Sequence, residues 1–364
     1  MKTAILRKNL PLLLPITILL ILSLLNMYGA SFISNMYSRV LTRQSVWIII
    51  GLIAMFLVYK INFRALMKYS GLLYWLGCLS LVLVLFLGKN VNGATSWFKI
   101  GPVSFQPSEL FKFFYLIYLS KIIGESKKKD FKLFVKILVL SSIPCLLIFL
   151  EPDTGVVVMY LLMMFGLIWY SGIDKRYLLF LISIGIIALI SFFCLYFLNG
   201  DLFTKLFGVS FFYRMDRILS FKNVSSYQLR QALIGVGASG LFGFGLTHKK
   251  MYIPEVTTDF AFDLTILNFG LLAGIAVVII YGILLYQILK ACTNSKKKVE
   301  KCILGGTLFM MSFQIFEHVL MNLGLTPITG ITLPFLSYGG SSLISYFLIF
   351  GLIIKITTNS SSYN

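Results

Sequence analysis

The chain has 364 residues, of which 58% are hydrophobic and 12% charged, and its mean hydropathy is +0.90. A soluble domain carries roughly a quarter charged residues, so this composition excludes one and indicates a membrane-embedded protein. The formal net charge of +19 would suit nucleic acid, but the basic residues sit in short loops between apolar runs, which argues against that partner and for membrane lipids.

Apolar runs of about 20 residues, long enough to cross a bilayer, recur along the whole chain. The predicted spans are 10–30, 45–60, 70–88, 107–123, 133–150, 154–171, 177–198, 263–289, 302–321 and 340–356. The first follows a basic start, MKTAILRKN, and lacks a small-residue cleavage site, so it reads as a retained helix. Basic clusters follow every second span: Lys60/Arg64/Lys68, Lys121/Lys127/Lys128/Lys129/Lys132, Lys175/Arg176 and Lys290/Lys296/Lys297/Lys298/Lys301. By the positive-inside rule these loops and both termini face the cytoplasm. The connections 31–44, 89–106, 151–153, 199–262 and 322–339 then face outward.

The fold class expected is an all-α polytopic membrane protein, one domain over 1–364 with about ten transmembrane helices. Its longest connection, 199–262 between the seventh and eighth spans, contains the helix-like SYQLRQALIGVGASGLFGFG and reads as ordered, partly dipping back into the membrane. The polar end, 357–364, reads as a mobile tail. The five cysteines have no spacing that suggests a metal site or disulfide framework.

Charged residues in such a chain need a reason. Glu109 and Lys112, in QPSELFK, lie three apart on one helical face and can pair. They read either as an ion pair at the interface or as the floor of a polar cavity whose lysine faces an anion. Trp97, in NGATSWFKIGPVSF, reads as a membrane-interface anchor or as part of a shaped rim. In EPDTG, residues 151–155, the turn chemistry favours Asp153 or Thr154 as a helix cap. Arg214 and Arg217, in the long outer loop, suit solvent, headgroups or a phosphate. IPEVTTDFAFD gathers Glu255, Asp259 and Asp263 in a chain with 13 acidic residues. ITGITLPFLSYGGSSLIS, with Pro334 and Gly339–Gly340, reads as broken backbone before the last span.

These segments, in this order, resemble the SEDS family (shape, elongation, division and sporulation), which includes FtsW, RodA and SpoVE. NGATSWFKIGPVSFQPSELFK is similar to its GaxxWxxxGxxxxQPSExxK, EPDTG to (E/Q)PDxG, and YQLRQALIGVGASGLFGFGL to YQxxQSxxAxGSGGxxGxGx. IPEVTTDFAF is similar to LPExHTDFIF, and GLTPITGITLPFLSYGGSS to GLxPVTGxxLPFxSYGGSS. The second span and its flanks, QSVWIIIGLIAMFLVYKINFR, look slightly more like RodA than FtsW.

The resemblance implies a peptidoglycan glycosyltransferase that polymerises lipid II, an undecaprenyl-pyrophosphate-linked disaccharide peptide, outside the plasma membrane during cell elongation or division. It also implies a class B penicillin-binding protein with transpeptidase activity as partner. The family's essential aspartate maps onto Asp259; Trp97, Glu109 and Lys112 fall on positions important in the family, and Arg43, in TRQ, on a conserved arginine. Several positions depart from the pattern: Thr257 for histidine, Leu267–Asn268 for a Glu–Glu pair, and His318 for asparagine beside an unusual Glu317.

The chemistry implied is inverting transfer, with Asp259 as general base, Lys112 on the diphosphate, Glu109 orienting Lys112, and Arg43, Arg214 and Arg217 as further substrate contacts. No cofactor is required by that scheme; a divalent cation, magnesium or manganese, is another way to supply positive charge. Two other readings fit the residues: a transporter that flips lipid II, and a scaffold that only recruits a transpeptidase.

Overall fold

Backbone N–H and C=O groups in a bilayer have no water to bond, so a chain this apolar must satisfy them within helices. The computed structural model describes residues 2–91, 94–101, 103–207, 227–247 and 251–359. Among them are thirteen α-helices: α1 (Lys2–Ala30), α2 (Val40–Lys60), α3 (Phe63–Leu87), α4 (Pro107–Glu125), α5 (Phe131–Leu150), α6 (Thr154–Ser171), α7 (Lys175–Leu198), α8 (Gly200–Phe207), α9 (Tyr227–Ser239), α10 (Ala261–Phe269), α11 (Leu271–Asn294), α12 (Lys298–Asn322) and α13 (Gly340–Asn359).

Nine helices among the described residues are long and apolar enough to cross a membrane. α4 is not one of them, because it carries Glu109, Lys112, Lys121 and Glu125. It lies instead at the centre of the bundle, against α3, α5, α6, α12 and α13. Around it, α6 packs along α12 and α2 along α13. Both pairs need a missing side chain at the crossing. A Cβ on Gly166 would lie 2.5 Å from Gly305 O, and one on Gly351 would lie 2.5 Å from Met55 O. Without a hydrophobic drive between helices in lipid, such close backbone approach is the main source of attraction.

The two ends of the bundle differ in chemistry. At one end Asn9 on α1 bonds Thr357 and Thr358 on α13, at 2.6 and 3.1 Å, and Lys355 donates to Tyr59 O at 2.6 Å. Lys129 caps the end of α4 through Ile123 O and Ser126 O. All the lysine-rich loops between helices lie at this end. The opposite end holds the motifs with carboxylates.

The structure corrects or refines four expectations. The span 263–289 is interrupted: Gly270, at φ 85°, separates α10 from α11. The chain after α9 plugs the gap, with Phe244 N on Leu267 O at 2.8 Å, Gly245 N on Asn268 O at 3.0 Å and Leu271 N on Gly240 O at 3.0 Å. A Cβ on Gly270 would lie 2.1 Å from Leu241 O, and one on Gly243 would lie 2.5 Å from Gly270 N. Second, the all-α fold class holds, with one small sheet beside the helices. β1 (Lys89–Val91), β2 (Ala94–Ile100) and β3 (Val103–Phe105) form an antiparallel sheet in the order β1-β2-β3, with Phe98 opposite Phe105 and Lys99 opposite Ser104. Third, α13 continues through Thr357 and Thr358 into the expected tail, of which 360–364 lie outside the described residues. Fourth, the expected long connection contains helices α8 and α9, the latter on YQLRQALIGVGAS as its pattern suggests.

A small apolar core seats the segment between α9 and α10. Ile253, Val256 and Phe260 are buried with Met27 and Ala30 of α1, Leu229 and Ala232 of α9, and Leu264 and Leu267 of α10. This core fixes where TDF can lie.

Candidate active site

Glu255 starts the turn that presents Asp259. Its backbone is left-handed at φ 53°, an uncommon state for a side-chain-bearing residue, and its carbonyl accepts N–H groups of Thr258, Asp259 and Phe260 at 3.2, 3.0 and 3.2 Å. Thr258 Oγ1 donates to Glu255 Oε2 at 3.0 Å, which holds the two side chains together. Neighbouring backbone clamps the turn from outside. Asn322 Nδ2 on α12 donates to Asp259 O at 2.9 Å, Ser337 Oγ to Thr258 O at 2.8 Å, and Tyr338 N to Thr257 O at 2.8 Å.

Asp259 itself is partly buried. Burial, with repulsion from Glu255, pushes its carboxyl up to about 6, and the Thr258 hydroxyl works against that rise. A base with that affinity is well matched to neutral solution. Gly330 of ITGIT faces it: a Cβ there would lie 3.9 Å from Asp259 Oδ2. Gly155 of EPDTG packs on the same segment, where a Cβ would lie 3.0 Å from Ile331 and 3.5 Å from Thr329 O. Three motifs far apart in sequence therefore meet at one end of the bundle.

Beside them lies a second polar group. Lys112 Nζ sits 2.7 Å from Glu109 Oε1, 3.7 Å from Met159 Sδ and 5.9 Å from the centre of the Tyr346 ring. The expected pair forms, but Lys112 is 0% exposed and Glu109 5%, so it is sealed within protein. Asp153 caps α6 through Val156 N at 3.2 Å and accepts from Gln106 Nε2 at 2.8 Å. Burial raises Asp153 above the usual carboxylate range. Glu151 is fully buried, and burial pushes its carboxyl to about 8. Gln106 N in turn donates to Ser341 Oγ at 3.0 Å, tying the start of α4 to α13.

Other predicted site residues are more dispersed. Trp97 is half-buried on β2, opposite Lys89, and its neighbour Ser96 donates to Glu151 O at 3.3 Å. Arg43 is exposed on α2. Arg214 and Arg217 lie outside the described residues. Asp263 is fully buried on α10, and neither carboxylate oxygen has a hydrogen-bond partner among the described residues.

Sequence reasoning missed two contributors. Gln44, next to Arg43, is fully buried and donates to Ser23 Oγ at 3.0 Å and Ser337 O at 3.3 Å, linking α1, α2 and the SYGG segment. Asn322 was unmarked although it holds Asp259 from the main chain. The changed pair position is also explained in part: Asn268 Nδ2 donates to Asn26 Oδ1 at 2.9 Å, and Asn26 Nδ2 to Thr265 Oγ1 at 2.8 Å. Among the described residues no group of three or more His, Cys, Asp or Glu side chains is placed to hold a metal ion.

Comparison with known proteins places this arrangement. A family model described as "Cell cycle protein", for FtsW, RodA and SpoVE, matches residues 7–362. The probable peptidoglycan glycosyltransferase FtsW of Coxiella burnetii is 31% identical over 331 residues, covering 86% of this chain and 85% of that one. Stage V sporulation protein E of Bacillus subtilis is 31% identical over 332 residues, covering 87% of each. Among solved structures, a chain described under "Structural coordination of polymerization and crosslinking by a peptidoglycan synthase complex" matches with TM-score 0.79 and 25% identity, covering 96% of this chain and 97% of its own. The rod shape determining protein RodA of Thermus thermophilus matches with TM-score 0.70 and 27% identity, covering 95% of each. The chain belongs to the FtsW/RodA/SpoVE family of multi-pass membrane proteins.

Proposed function

We propose that this chain polymerises lipid II into peptidoglycan strands, with Asp259 as general base of an inverting glycosyl transfer. It is a glycosyltransferase of cell-wall synthesis, as its relatives' names say of them. The observation that carries the base assignment is the setting of Asp259: a partly buried carboxylate, raised to about 6, clamped by main-chain bonds where three motifs converge.

In the step assigned to it, Asp259 takes the proton of an acceptor sugar hydroxyl. The hydroxyl oxygen bonds the donor's anomeric carbon from the face opposite the diphosphate, and the carbon–oxygen bond to diphosphate breaks. The electron pair leaves with the lipid diphosphate, already a stable anion, so no protein acid is needed. An α-linked donor gives a β-linked product without a covalent intermediate, so one carboxylate suffices where retaining glycosidases need two. Lys112 and Glu109 form the charged floor behind the site; for Lys112 to touch diphosphate directly, the seal made by Met159 and Tyr346 must part. Trp97, Arg43, Arg214 and Arg217 are proposed as outer substrate contacts.

The lysine-rich end of the bundle faces the cytoplasm under the positive-inside rule, which puts both termini inside and Asp259 outside, where glycan is built. The synthase complex among the structural matches supports a class B penicillin-binding transpeptidase as partner. A direct test incubates purified protein with lipid II and resolves the glycan products. Asp259→Asn should purify intact and make none; a normal product ladder from that variant would overturn the assignment. Complementation of strains depleted of each paralogue assigns the role to elongation, division or sporulation.

A further inference from the structure

The last turn of α4 and the first turns of α5 leave a cleft of about 380 Å³ at the lysine-rich end of the bundle. Lys128 from the connecting loop and Lys132 and Lys136 from α5 line it, together with Glu125 and Asp130. All three lysines are exposed, and among the described residues no carboxylate lies within ion-pair distance of any of them. Asp130 is engaged elsewhere, its Oδ1 accepting Leu133 N–H at 3.1 Å as the cap of α5. Lys129 is engaged too, on the carbonyls that end α4. A second feature starts at the same place. Lys132 and Lys136 stand on one face of α5, and three residues beyond each comes an exposed valine, Val135 at 38% and Val139 at 54%. Phe131, 53% exposed, opens the same bare apolar ridge, which runs about 12 Å down a helix long and apolar enough to span a membrane.

We propose that this cleft binds the phosphate of an anionic phospholipid, with Lys128, Lys132 and Lys136 around the headgroup and an acyl chain along Val135 and Val139. A basic hollow whose rim continues into an apolar ridge has the two-part chemistry of such a lipid, and of no soluble anion. Lysine suits the phosphate as a mobile point charge, and basic pockets between membrane helices on the cytoplasmic side hold anionic headgroups. Glu125, exposed on the α4 wall, opposes an anion, and the three ammonium groups outweigh it. A headgroup held there joins the end of α4 to the start of α5, and binding of this kind stabilises the folded chain by mass action. The orientation proposed above makes the leaflet the inner one. The cleft itself does not depend on the reading of Asp259 as base.

The test titrates the purified full chain in detergent with dioleoylphosphatidylglycerol or dioleoylphosphatidylcholine and counts bound lipid by native mass spectrometry. One phosphatidylglycerol should bind about tenfold more tightly than phosphatidylcholine, a comparison that needs no variant. Lys132→Ser with Lys136→Ser should weaken that binding about thirtyfold, the worth of two cations at an anionic surface, and Lys128→Ser about fivefold. Arg64→Ser with Lys68→Ser removes the same charge at the same spacing on α3 and should leave binding within about twofold. Equal affinity for the two lipids overturns the proposal. So does equal weakening by the two pairs, which is diffuse attraction to net charge. Inorganic phosphate in millimolar excess should leave the lipid in place; displacement assigns the cleft to soluble anions and overturns the lipid reading. The Lys132/Lys136 pair should polymerise lipid II at the wild-type rate in detergent, so failure here leaves the Asp259 assignment standing, and an active Asp259→Asn leaves this cleft untouched.

Discussion

The charges of the fourth span and those of the TDF turn answer the same problem in opposite ways. At Glu109 and Lys112 opposite charges meet at 2.7 Å and are closed off from solvent. At Asp259 the charged neighbour is Glu255, of like sign, and no cation is paired with either among the described residues. Pairing commits each charge to the other and keeps both out of reach of substrate. Burial, helped by the like charge of Glu255, raises the proton affinity of Asp259 toward neutrality, which costs stability but leaves a usable base. The contrast separates a charge that builds the site from a charge that reacts in it.

The strongest way to break this contrast is to neutralise the reactive member. Asp259→Asn should cut polymerisation by about 10²–10⁴-fold, the usual worth of a general base, while thermal unfolding in detergent stays near wild type. Neutralising one member of the sealed pair should act first on stability. Lys112→Met leaves Glu109 buried and unpaired and should cost about 3–5 kcal/mol of stability, whereas the double change Glu109→Gln with Lys112→Met should recover most of it. Unfolding curves of the three variants check this.

A third experiment varies pH. Because the folded protein raises Asp259 to about 6, its contribution to stability is complete below the ordinary carboxylate range and is lost as pH rises through about 6. Activity runs the other way, since the base must be ionised: at one unit below that midpoint polymerisation should be down about tenfold. Rate and unfolding measured across the same buffers should therefore show opposite slopes, and parallel slopes would reject the contrast. The smallest effect is expected at the junction of the two regions. Ser341→Ala removes the oxygen that accepts Gln106 N–H and should cost about 1 kcal/mol with little change in rate.

Much of the bundle was legible because bilayer thickness imposes a length on every apolar run, and the lysine clusters mark the ends. The Glu109–Lys112 pair followed from helical spacing alone, and Asp153 as a cap from turn chemistry. The break at Gly270 did not, because FDLTILNFGLLAGIAVV reads as one continuous span; the interruption exists only because a distant segment supplies its hydrogen bonds. The small sheet over 89–105 was hidden because three short strands carry too little alternation to stand out. Asp259 came from the family resemblance, not from its local pattern. Glu317 was visible as an oddity, yet nothing in the sequence tells that α12 returns to the TDF turn.

The facing glycines of the interrupted helix tie two parts of the gene together. A Cβ on Gly243 would strike the backbone of Asn268, Phe269 and Gly270, and one on Gly270 would strike the backbone of Leu241 and Phe242. Neither can drift alone, so anyone transplanting the external loop from a cousin into this scaffold has to carry the matching notch with it.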